Sequence, residues 1–96
     1  MTYDDLVDAL IHRYAHVGTK RLFGMECFTV NGKAVGGRAD DGLLVKLTDP
    51  ALHAEAMALA GSHAFDPMGG RPMKQWVVVP TEHSAQWARL AEAAIS

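Results

Sequence analysis

Ninety-six residues with 49% hydrophobic and 21% charged side chains fit one folded domain, near the lower size at which a core forms without disulfides or metal, and exclude extended disorder. A formal net charge of −2 disfavours a protein that neutralises many phosphates, so direct nucleic-acid binding is not expected. Cys27 is the single cysteine, the first eight residues are acidic where a secretory signal is basic and then apolar, and no apolar run reaches membrane-spanning length. The expectation is a cytoplasmic protein without membrane contact.

A helix is predicted from Thr2, whose hydroxyl caps the first amides while Asp5 stands three residues on. Tyr3, Leu6, Val7, Leu10, Ile11, Tyr14 and Val17 recur at three- and four-residue steps as its apolar stripe, and Gly18 supplies the stop. Asp8, His12, Arg13 and His16 then form its solvated face.

Three strands follow. Asn31-Gly32 is a two-residue hairpin signal, because both positions tolerate positive φ, and it sets Phe28 opposite Val35. For the next turn, three loop residues, Asp40 to Gly42, are preferred over two. This register gathers Phe28, Val30, Val35, Ala39, Leu43, Val45 and Leu47 on one face, whereas the alternative sets Lys46 among them. Glu26 falls on that apolar face by alternation, which points to a bulge near Gly24 or to a position beyond the helical cover.

Asp49-Pro50 starts a second helix, with Leu52, Ala56, Leu59 and Ala60 inward and Gly61 at its end. A short extended piece, roughly 63 to 66, precedes a Pro-Met-Gly-Gly-Arg-Pro turn. Trp76 to Val79, β-branched and apolar on both faces, reads as an interior strand. Pro80 and Thr81 launch a last helix on which Trp87, Leu90, Ala91 and Ala94 share a face. The order α-β-β-β-α-(β)-β-α predicts an α+β fold of two layers, three helices against a mainly antiparallel sheet.

Three segments carry a family likeness. Lys20-Arg21-Leu22-Phe23-Gly24-Met25, Phe28-Thr29-Val30-Asn31-Gly32-Lys33 and Gly70-Arg71-Pro72-Met73-Lys74-Gln75-Trp76-Val77 resemble, in this order, the opening Met-Phe-Gly-Gly, the first hairpin and the Gly-Arg-Pro-Met-Lys-Gly-Trp-Val segment of the N-terminal domain of the TfoX/Sxy regulators of natural competence. Leu22, Met25 and Gln75 stand where that family has methionine, glycine and glycine. The resemblance runs from Lys20 to the end of the chain. It implies a secretion-chaperone-like fold, commonly dimeric, that holds other proteins, and it implies no established catalytic residues; no cofactor is expected.

The candidate partner-binding or ligand-binding residues are Cys27, Arg38, Lys46, Arg71 and Lys74. Cys27 is expected on the second sheet face beside Gly36 and Lys46, where an ammonium would lower its pKa, although buried cysteine is more often a small hydrophobe. The same face is expected to carry Met25, Arg38 and Leu44, a mixture suited to protein contact. Gly69-Gly70-Arg71-Pro72-Met73-Lys74 offers amides and cations for an anion, but it lacks the Gly-Lys-Ser/Thr ending of a phosphate loop, and a turn needs its glycines and prolines anyway. His12 and His16 have metal-sharing spacing on a helix, yet two ligands do not make a zinc site, so no metal is expected. Asp4, Asp5 and Asp8 complement a helix dipole. The leading reading is a non-enzymatic binding or regulatory module for a protein partner or its own twin; the alternative is a binder of, or enzyme acting on, an anionic small molecule at the basic turn.

Overall fold

The structure, a computed structural model, describes residues 2–22, 24–40, 42–66, 70 and 73–95. Helix α1 spans Tyr3–Arg13, strands β1 to β4 span Val17–Leu22, Met25–Val30, Lys33–Ala39 and Gly42–Lys46, and α2 spans Pro50–Ala58. Strands β5 (His63–Phe65) and β6 (Met73–Pro80) follow, then a 3-10 segment Thr81–Gln86 and α3 (Trp87–Ile95). The six strands form one antiparallel sheet in the order β1-β2-β3-β4-β6-β5. All three helices contribute to one core against one face of it, so the fold is α+β.

That core takes Leu6, Val7 and Leu10 from α1, Ala56 from α2, and Trp87, Leu90 and Ala91 from α3. It closes on Phe28, Leu43, Val45, Val77 and Val79 of the sheet. Each large apolar side chain fully removed from water here contributes roughly 1.5–3 kcal/mol.

The capping box at α1 is present: Thr2 accepts from the Asp5 amide and the Asp5 carboxylate accepts from the Thr2 amide. The helix ends sooner than its stripe predicts. Tyr14 leaves helical geometry, and Val17 begins β1, where Gly18 pairs with Thr29 instead of stopping a helix. Tyr3, Leu6, Val7 and Leu10 are buried, whereas Ile11 is 41% exposed. Val17 is buried as predicted but from a strand, because one apolar residue satisfies a period of three to four and a period of two equally well.

The Asn31-Gly32 turn is as read, with φ of 51° and 83° and Val30 paired with Lys33. Beyond it the register departs from the expectation. A bulge leaves Val35 without a partner, so Phe28 faces Gly36 and Cys27 faces Gly37. The glycine is the reason: a Cβ on Gly36 would stand 2.2 Å from Phe28 Cζ, so the ring occupies the space a side chain would need. The next pairing follows neither expected register: Ala39 pairs with Gly42 and Arg38 with Leu43. Leu43 and Val45 still face the helices, but Ala39 moves to the opposite face and Arg38 takes its place beside Leu43.

Asp49 caps α2 through the Ala51 amide at 2.9 Å. The helix closes at Ala58, so Leu59 lies past it against the core and Ala60 is exposed. The extended piece at 63–66 is β5, and β6 is interior between β4 and β5. The last helix starts later than read, after the 3-10 segment, and buries Ile95 rather than Ala94.

Candidate functional site

One cross-strand row organises the uncovered face. Lys20, Cys27, Gly37, Leu44, Val78 and His63 are successive partners across all six strands. Cys27, Leu44 and Val78 are 3%, 1% and 1% exposed, yet none belongs to the helix-covered core. Their shielding comes from their own sheet. Residues of all six strands line one hollow of about 340 Å³, with Cys27 and Leu44 at its floor and Leu22, Met25, Phe65 and Trp76 around them. Strands at opposite edges of the sheet wall the same trough, as a strongly twisted and coiled sheet permits.

A second hollow, about 570 Å³, adjoins the first through Met25 and Phe65 and is lined by Arg21, Glu26, Arg38 and Asp66 among others. The two differ in chemistry: the trough is bordered by Lys20 and Lys33 and by no carboxylate among the described residues, whereas the second hollow mixes both signs.

Cys27 is on the second face as expected, but its neighbours are Lys20 and Gly37, not Lys46 and Gly36. Its thiol donates to the Met25 carbonyl at 3.7 Å. Burial pushes its pKa up, and the nearby Lys20 ammonium offsets this only in part. It is a protonated floor residue at neutral pH, so the expected lowering of its pKa is corrected.

Arg38 is also corrected. It stands on the helix side, where its Nε donates to Glu26 at 3.1 Å, its Nη2 reaches Asp4 and its guanidinium lies 4.6 Å from the Tyr3 ring centroid. The hydrogen bond it donates to Glu26 is the main reason its pKa is raised still further. Tyr3 donates to the Glu26 carbonyl at 3.3 Å, and burial raises its phenol pKa. Arg38 therefore joins α1 to β2 and β3. Glu26 is likewise explained by its partner, at the margin of the helical cover.

Lys46 pairs with Trp76 in register on the trough side. Lys74 is elsewhere: its carbonyl accepts from His53 at 2.6 Å, and it lines a separate hollow beside α2. Arg71 lies outside the described residues, as does the predicted turn except Gly70, whose amide donates to Asp66 at 3.0 Å. Of the four predicted cations, Arg38 and Lys46 thus occupy opposite faces of the sheet and do not converge.

The histidines do not gather either. His16 lies past the end of α1, so His12 and His16 share no helix face. His12, His53 and His83 each bond a different backbone carbonyl. Among the described residues no three metal-ligating side chains form a group, and no helix is long and apolar enough to cross a membrane.

Sequence reading missed the walls Leu22, Phe65 and Trp76 and the cation Lys20. The available signal was alternation of Lys20 and Leu22 with Thr19 and Arg21, but a strand at 17–22 was needed to use it. Comparison of the chain with protein-family models, curated proteins and solved structures finds no match.

Proposed function

We propose that this chain is a non-enzymatic binding module, of the kind the TfoX/Sxy N-terminal domains represent, that holds a protein partner or a second copy of itself on the uncovered sheet face. It acts as a regulator in the cytoplasm through that contact. The observation that carries the reading is the apolar trough over Cys27 and Leu44 on the sheet face opposite the helix-lined core. Apolar surface assembled away from the folding core is what interaction sites use. The likeness at residues 20–25, 28–33 and 70–77 supports the regulatory class; the protonated state of Cys27 favours contact over nucleophilic chemistry.

The test compares wild type with Leu22→Asp and Phe65→Asp, wall positions that are only half-buried. The expected result is a loss of the partner recovered from native cytosol, or a fall in solution mass from dimer to monomer, with the circular dichroism spectrum retained. Unchanged partners and unchanged mass in both variants would overturn the reading.

A further inference from the structure

Ion pairing differs between the helix side of this sheet and the trough. On the helix side each arginine that meets a carboxylate is neutralised: Arg13 by Glu92 at 2.7 Å, Arg89 by Glu55 at 3.0 Å, and Arg38 by Glu26 and Asp4. Asp5 and Asp49 are used as helix caps. Around the trough the cations are lysines without ion pairs among the described residues. Lys20 donates to the Gly32 carbonyl at 3.2 Å, and Lys33 borders the same hollow. Lys46 lies on that face opposite Trp76. A chain of net charge −2 thus presents an apolar hollow edged by positive charge alone among the described residues.

From this complementarity we infer that the trough takes an acidic amphipathic segment of a different protein, its apolar side chains on Leu22, Phe65 and Trp76 and its carboxylates against Lys20, Lys33 and Lys46. The inference rests on the binding-module reading above and names its partner class. A second copy of this chain is the poorer occupant, because two identical troughs face to face oppose like charges. Neutralising exposed lysines makes the attraction dependent on ionic strength, while the apolar floor supplies a part that salt does not screen.

Four synthetic peptides test it. Two place leucine at helical spacing and two at alternating spacing, each pair made once with glutamate and once with lysine at the remaining positions. Binding is read by calorimetry and by Trp76 fluorescence, with Trp76→Phe as the optical control. A glutamate peptide is expected to bind about fivefold tighter than its lysine twin, since the three lysines attract the one and repel the other. Raising the salt narrows the ratio, and Lys20→Glu with Lys33→Glu reverses it. Equal binding of both charge types, an unchanged ratio in the lysine variant, or no glutamate-peptide binding at ~1 mM would overturn the inference. If charge selectivity is absent while Leu22→Asp still abolishes the cytosolic partner or the dimer, the acidic segment alone is refuted. If both fail, the binding module falls with it.

Discussion

At Gly36 the β3 backbone gives up its side chain to the Phe28 ring, beside the bulge that shifts the β2–β3 register. Gly36→Ala would force a Cβ to within 2.2 Å of Phe28 Cζ and 2.7 Å of the Leu44 carbonyl. The ring is itself fully buried and has no room to yield. The expected loss is about 2–3 kcal/mol, measured by urea unfolding, a typical cost of overpacking a core.

Two buried acids act at the same scale. Cys27 and Tyr3 have folded-state pKa values above their ordinary 9.0 and 10.0, in both cases chiefly through burial. The folded chain therefore holds these protons when the unfolded chain releases them. Stability is unaffected below about pH 9 and falls as pH rises through the window above the ordinary values. Tyr3→Phe is expected to flatten the alkaline limb above pH 10.0 in a series of denaturation midpoints. An unchanged slope in this variant would remove Tyr3 as a cause.

At the scale of elements, α1 is attached by specific contacts as well as by its apolar face. The Arg38 guanidinium bridges Asp4 on the helix and Glu26 on β2 while stacking on Tyr3. Arg38→Gln keeps a polar group but loses the charge and the planar fork that fits carboxylates. Amide exchange is then expected to accelerate along residues 3–13 while β4 and β6 stay protected; uniform acceleration would show that Arg38 supports the whole fold instead. The cap at the same helix is separable: Thr2→Ala removes the acceptor for the Asp5 amide and costs about 1 kcal/mol.

For the whole molecule, the informative contrast lies between floor and wall of the trough. Leu44 is 1% exposed on an interior strand, so Leu44→Asp buries an unpaired carboxylate and costs on the order of 3–5 kcal/mol, read as loss of the cooperative melting transition. Leu22 lies on edge strand β1 and is half-buried. Leu22→Asp is expected to melt within a few degrees of wild type, because an edge residue can turn its new charge to water. The two variants separate what the second face does for folding from what it offers a partner.

The α+β class, the cap of α1, the Asn31-Gly32 turn, the start of α2 and the interior character of β6 were legible from residues alone, because each depends on neighbours within a few positions. Local chemistry also put Cys27 and Leu44 together on one face, since alternation survives an error in pairing. What it lacked was β1, because a lone Val17 satisfies helical and strand periods alike, and the bulge at Val35, which answers to the ring of Phe28 across the sheet. Those two features decided the site. β1 supplies Lys20 and Leu22 to the trough, and the shifted register carries Arg38 over to the helices. Periodicity in a sequence determines which residues share a side of their own strand; which strands stand beside it, and how far the sheet curls to bring its edges together, is decided by packing among residues far apart in the chain.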